Sequence, residues 1–212
     1  MRTQTGQKVR KKRSSILILT GLLLLAAALL LTGFNLYDEH RAEQSVDHVL
    51  DQMKPQETPV LREGEIPDYI LNPDMEMPVE TIDGLDYIGT LEIPSLDLEL
   101  PVLSEWNYPN LRVAPCRYVG SAYQGNLIIA AHNYPSHFGN LKHLQEGESV
   151  RFTDVEGNLF SYKVVVRETL EPTAIDEMQS EEDGAWDLTL FTCTIGGRSR
   201  VTVRCELAED ST

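Results

Sequence analysis

The sequence predicts a mainly β domain held behind a single N-terminal transmembrane helix. Three observations carry this. Residues 14–34 contain no charged side chain and are dominated by Leu, Ile and Ala. Across residues 86–207, apolar and polar side chains alternate in short runs broken by turn residues, which is the period of strands. Between the two lies a stretch rich in Pro and acids that shows neither pattern. The chain therefore divides into a basic tail (1–13), a transmembrane signal anchor (14–36), a stalk or linker (37–84) and a folded domain (85–208).

The tail carries Arg2, Lys8, Arg10, Lys11, Lys12 and Arg13 and no acid, whereas the 212-residue chain has a formal net charge of -15. No basic patch remains outside the tail, which argues against a nucleic-acid partner. The tail suits a membrane-orientation signal instead. At about 1.5 Å per residue, the apolar run crosses a hydrocarbon core of about 30 Å. No Ala-x-Ala site follows Leu31, so the run reads as an uncleaved anchor rather than a removable signal peptide. The N-terminus then stays cytoplasmic, and the bulk of the chain lies outside the cell membrane after a single pass.

In the stalk, Val46, Val49, Leu50 and Met53 fall at helical spacing, which predicts a short helix over 38–53. Pro55, Pro59, Pro67, Pro73 and Pro78 follow among many acids, the composition of an extended connector.

Residues 87–94 and 98–103 read as the first two strands of the domain. Residues 106–116 read as a loop or short helix capped by Asn107 or Asn110. Residues 125–132 are an apolar run behind a turn signal, suited to a buried strand that ends on His132. Residues 136–145 suggest a short helix laying Phe138, Leu141 and Leu144 on the sheet. A hairpin follows over 148–154 and 159–167, then a long acidic loop over 171–187.

The last hairpin concentrates the chemistry. Leu188 and Leu190 alternate with Thr189 and Phe191; Gly196-Gly197 marks a turn; Val201, Val203, Cys205 and Leu207 alternate with Arg200, Thr202, Arg204 and Glu206. Cys193 closes the first arm and Arg200 opens the second. A cation beside a thiol favours the thiolate and can hold a developing oxyanion. Three cysteines do not make a disulfide framework; Cys116 and Cys205 are either paired or two buried free thiols. Among the histidines, His40 and His48 belong to the stalk. His132, His137 and His143 lack the spacing and the carboxylate of a zinc site, so no metal is expected.

Thr189-Leu190-Phe191-Thr192-Cys193 matches the Thr-Leu-x-Thr-Cys signature of sortases, with Arg200 opening the next strand as the sortase arginine does. His132, sixty-one positions upstream of Cys193, supplies the third element. The chain thus resembles the sortase family over about residues 86–207. Relatives usually have Ala-Gly-His where this chain has Ala-Ala-His, and Asn133 stands where Arg is common. The resemblance implies an eight-stranded β-barrel with a few short helices, and the catalytic set His132, Cys193 and Arg200. Arg198, in the Gly-rich turn, is the rival arginine, and His137 the rival base. Thr192, Ala131, Pro172 and Ile175 are implied as substrate-binding, Thr192 by orienting Arg200 or the substrate through its hydroxyl.

The implied reaction is cysteine transpeptidation. Cys193 attacks a Leu-Pro-x-Thr-Gly-like sorting signal, forms a thioester and yields the acyl group to an amine. The implied partners are surface proteins or pilins bearing that signal, with a peptidoglycan precursor or a pilin lysine as acceptor. No cofactor is implied. Some relatives bind calcium, but Asp176, Glu177, Glu181, Glu182 and Asp183 show no regular oxygen-ligand spacing. Some pilin-assembling members carry a lid with an Asp-Pro-aromatic tripeptide; Asn72-Pro73-Asp74-Met75 departs from it, which favours a spacer. Two alternatives stay open: a membrane-anchored cysteine peptidase that hydrolyses the same signal, and a non-enzymatic surface assembly module.

Overall fold

The computed structural model describes residues 4–53, 66–174, 186–194 and 196–208. The chain forms two compact units, Met1–Arg41 and Ala42–Thr212. One long helix, α1 (Gln4–Gln52), runs through the first and into the second. Within the first unit every side chain from Ile16 to Tyr37 is exposed, including a continuous series of leucines. This helix is long and apolar enough to cross a membrane, with a mean hydropathy of 2.6 over its most apolar window. Such a surface is compatible with a single-pass membrane anchor.

The second unit is a closed β-barrel. In chain order its strands are β1 (Glu80–Ile82), β2 (Leu85–Ile93), β3 (Leu98–Leu103), β4 (Cys116–Val119), β5 (Leu127–Ala131), β6 (Ser149–Asp154), β7 (Leu159–Leu170), β8 (Leu188–Cys193) and β9 (Arg200–Leu207). They are hydrogen-bonded in the order β1-β2-β3-β4-β5-β8-β9-β7-β6, and β6 pairs back onto β2. Eight strands thus close the ring, and β1 is a short hairpin arm lying on β2. Two neighbour pairs, β3–β4 and β5–β8, are parallel; the rest are antiparallel. Closure removes the free edges that an open sheet would present.

Strand alternation divides the side chains between two apolar clusters. Leu91, Ile93, Leu127, Ile129, Phe152, Tyr162, Leu188, Leu190 and Val203 fill the barrel interior. Ile128, Ala130, Phe191, Leu170, Leu103 and Cys116 belong to a second cluster on its outer face. The linker region contributes to both. Val46 joins the interior cluster, and Val49 and Met53 join the outer one. Met75 and Met77 pack against the interior cluster. Tyr69 stacks on Tyr123 at 4.8 Å, just before the start of β5. Residues 42–53, read as part of a short helix, and the described part of the Pro-rich stretch, whose composition suggested an extended connector, both lie against the barrel.

Two local expectations differ from the fold. Phe138, Leu141 and Leu144 are fully buried, but the segment is a series of turns with one 3-10 turn, Leu141–His143, rather than a helix. The short strand β4 begins at Cys116, the last residue of a segment read as loop or helix. The rest of that segment does contain a one-turn helix, α2 (Tyr108–Leu111), whose Asn107 side chain accepts a hydrogen bond from the Asn110 backbone N–H at 2.8 Å.

Candidate active site

Three adjacent strand ends meet at one place. The parallel ladder between β5 and β8 pairs Ile129 with Leu190, Ala130 with Phe191 and Ala131 with Thr192. His132 and Cys193 are the residues that follow this last pair, His132 directly after β5 and Cys193 as the last residue of β8. The antiparallel ladder between β8 and β9 pairs Cys193 directly with Arg200. Neighbouring strands lie about 4.8 Å apart, so the three backbones are within side-chain reach of one another.

Alternation places Cys193 and Arg200 on the outer face, and His132 follows directly on β5. Leu127, Ile129 and Ala131 belong to the interior cluster and Ile128 and Ala130 to the outer one. Leu188 and Leu190 face inward and Phe191 outward, so Cys193 shares the outward phase. Val201, Val203 and Cys205 pack inward, which leaves Arg200 on the side of Cys193. His132, Cys193 and Arg200 are each half-buried. A partly shielded site strengthens electrostatic contacts while leaving room for a substrate.

The flanking residues hold this geometry. The Thr192 hydroxyl donates to the Ala131 carbonyl at 2.8 Å, tying the two strand ends together immediately before His132 and Cys193. That hydroxyl was expected to orient Arg200 or the substrate; it is committed to the neighbouring strand instead. Ala131 and Thr192 are both buried, and the Ala131 side chain belongs to the barrel interior. The turn between β8 and β9 is fastened by its ends: Thr194 N–H donates to the Ser199 carbonyl at 2.9 Å, and Ser199 N–H donates to the Thr194 hydroxyl at 3.1 Å. The Arg200 guanidinium folds back over this turn, donating to the carbonyls of Gly197 at 3.4 Å and Ser199 at 3.3 Å. Both contacts are long, so reorienting the guanidinium toward an anion gives up little. Arg198 is exposed within the turn.

The other candidates separate clearly. Arg204 is buried, donating to Glu168 at 2.9 Å and to the Thr189 hydroxyl at 3.2 Å, a structural ion pair. His137 is fully buried, and burial, with His132 nearby, lowers its pKa to about 4. It is therefore neutral at physiological pH and shut off from solvent. Cys116 and Cys205 are free and buried, and burial raises each thiol to about 12. Pro172 is half-buried just beyond β7. Ile175 and the acids considered for calcium lie outside the described residues. Among the described residues, no group of three or more His, Cys, Asp or Glu side chains forms a candidate metal site.

The structure adds a neighbour that motif reading passed over. Phe191, the variable position of the Thr-Leu-x-Thr-Cys signature, shares the face of Cys193 and sits in the outer cluster with Ala130 and Leu170. Leu170 pairs with Arg200 across β7 and β9, and Ala174 packs against the same cluster. An apolar floor thus runs beside the thiol. The strand period carried this signal, because Phe191 is two residues from Cys193.

Comparison with known proteins bears on the family and the fold. Residues 91–208 match the family model described as the Sortase domain. The chain is 28% identical over 190 residues to sortase A of Bacillus anthracis, an alignment covering 85% of this chain and 88% of that protein. Among solved structures, the sortase D5 transpeptidase of Clostridium perfringens superposes with a TM-score of 0.55 at 18% identity, covering 80% of this chain and 99% of that one. Sortase C of Clostridium perfringens SM101 gives a TM-score of 0.52 at 21% identity, covering 78% and 99%. At these identities the structural likenesses establish the barrel fold, and the family match establishes kinship.

Proposed function

The chain belongs to the sortase family, and we propose on that premise that it is a membrane-anchored cysteine transpeptidase acting on proteins with a Leu-Pro-x-Thr-Gly-like sorting signal. One observation supports the reading above all others: the ladders pair Ala131 with Thr192 and Cys193 with Arg200, so the strand end that His132 follows adjoins the one that carries Cys193.

The chemistry follows from those side chains. The Cys193 thiolate attacks the Thr carbonyl carbon of the signal, and the carbonyl electron pair moves onto oxygen. Arg200 swings from the turn carbonyls to hold that oxyanion. As the intermediate collapses, the C–N bond to Gly breaks and protonated His132 gives its proton to the leaving amine. A thioester on Cys193 remains. An acceptor amine, from a peptidoglycan precursor or a pilin lysine, attacks the thioester while neutral His132 takes its proton. The new amide forms, and the thiolate leaves unchanged. The apolar floor of Phe191, Ala130 and Leu170 supports the non-reacting side chains of the signal. The apolar part of α1 anchors the enzyme, with the basic tail in the cytoplasm and the barrel outside.

The test uses sorting-signal peptides with and without a glycine or lysine amine, followed by mass spectrometry. Wild type is expected to show an acyl adduct on Cys193 and amine-dependent product. Cys193→Ala should abolish both. Arg200→Ala should lower kcat by roughly 10²–10³-fold with the fold intact. Full thioester formation in Arg200→Ala would move the oxyanion role to Arg198. Hydrolysis unaffected by added amine would make the enzyme a peptidase. Unchanged biological activity in Cys193→Ala would leave a binding module.

A further inference from the structure

The loop that leaves β5 holds a buried polar group for which the proposed reaction has no use. His137 is fully buried, and neither ring nitrogen has a hydrogen-bond partner among the described residues. Unsatisfied polar atoms at such a depth are costly and uncommon, so the position calls for a physical reason.

Its neighbours supply one. The His137 ring lies 5.6 Å from the ring of Tyr134, tilted by 51°. Tyr134 in turn lies 5.0 Å from the ring of His132, tilted by 40°. These are the separations and tilts of favourable aromatic pairs. The backbone fixes the order of the three rings. The His137 N–H donates to the Tyr134 carbonyl at 2.9 Å, the Gly139 N–H donates to the same carbonyl at 2.9 Å, and the Phe138 N–H donates to the His132 carbonyl at 3.1 Å. Gly139 is required for this fold-back, because a Cβ there would stand 2.6 Å from the Asn133 carbonyl oxygen and 2.8 Å from that of Tyr134. Phe138, fully buried in the barrel core, pins the loop from the other side.

We propose that Tyr134 and His137 form a positioning stack that sets the orientation of the His132 ring toward Cys193. His132 lies one residue beyond β5, its carbonyl held by the Phe138 N–H at 3.1 Å and its ring against that of Tyr134. Tyr134 gives it a flat wall, and His137 backs that wall from inside the protein. A neutral aromatic ring suits the inner position, because a cation there would disfavour the protonated state His132 needs to serve as acid. The two residues act through His132 and never touch the reacting atoms.

This inference rests on His132 being the acid and base of the reaction, and the experiment keeps the two ideas apart. Transpeptidation by the full chain is measured in His132→Ala, Tyr134→Ala, Tyr134→Phe, His137→Ala and His137→Phe. His132→Ala should abolish turnover; if it does not, the proposed function itself fails. With His132 essential, Tyr134→Ala and His137→Ala should each lower kcat by about tenfold or more with KM within about twofold. Both Phe variants should recover to within about threefold of wild type, since they keep the ring. The His132 imidazole NMR signals should shift and broaden in Tyr134→Ala and remain near wild type in Tyr134→Phe. Tyr134 is half-buried, so its variants remain informative if His137→Ala fails to fold. Wild-type kcat and an unchanged His132 spectrum in Tyr134→Ala, or Phe variants as impaired as the Ala ones, would overturn the stack.

Discussion

The three cysteines share a side-chain chemistry and differ only in where the strand period puts them. Cys205 alternates into the barrel interior, Cys116 lies beneath the outer apolar cluster, and Cys193 stands half-buried at a strand end. Burial pushes both Cys116 and Cys205 up to about 12, since an apolar surround penalises the thiolate far more than the thiol. Native alkylation at pH 7.5 should therefore modify Cys193 alone, and the other two only after denaturation. Peptide mapping of the alkylated protein checks this. Rapid native labelling of Cys116 or Cys205 would contradict the burial that separates them. The amino-acid sequence pointed to Cys193, because a thiol facing Arg200 across a hairpin depends only on period and turn length. The sequence left the pairing of Cys116 and Cys205 open, since whether two distant thiols meet is a matter of tertiary packing.

The same distinction governs the elements. Strands β2, β3, β5, β6, β7, β8 and β9 were legible because each carries enough consecutive alternation to declare its phase. Strand β4 was not, since Cys116-Arg117-Tyr118-Val119 is short and its register shifts between Arg117 and Val119. Strand β1 was missed although its turn was visible: Asp83-Gly84, both at positive φ, is the pair a two-residue hairpin favours. Phe138, Leu141 and Leu144 recur every third residue, a spacing that a 3-10 turn satisfies as well as a helix does. His132 was found by its place at a strand end, whereas the stack behind it depends on a loop whose fold-back no period encodes. That loop also makes stability sensitive to acid. His137 has its pKa lowered from 6.5 to about 4, with burial the main cause. Above about pH 6.5 it is neutral in both folded and unfolded chains and has no effect. As pH falls from there toward 4, the unfolded chain takes up a proton that the folded one refuses, and stability is lost. The loss reaches roughly 3 kcal/mol near pH 4. Urea melts at pH 7 and pH 4 should show that His137→Phe loses less stability on acidification by about this amount. Equal losses in the two proteins would mean that His137 is solvated.

The candidate catalytic face and the N-terminal segment share one apolar cluster. Val49 of α1, Met53 just after it and Ile82 of β1 belong to the same outer cluster as Phe191, Ala130 and Leu170. Ala42 and Val46 are buried as well. The last turns of α1 thus cover barrel surface that would otherwise face water, and the barrel depends on residues whose position suggested only a tether. Fully burying Val46, Val49 and Met53 is worth about 1.5–3 kcal/mol each relative to exposure. Removing residues 42–53 should therefore cost roughly 5 kcal/mol, a large share of the 5–15 kcal/mol typical of a single domain. The comparison is between chains beginning at residue 42 and at residue 54. Both lack the exposed apolar helix, so both can be studied without detergent. The longer chain should unfold cooperatively and turn over sorting peptides. The shorter one should show a much lower urea midpoint, bind hydrophobic dyes and lose kcat, since the uncovered cluster continues beneath Phe191. Equal midpoints and equal kcat in the two chains would show that the α1 contact adds nothing to the barrel and that residues 42–53 act only as a spacer.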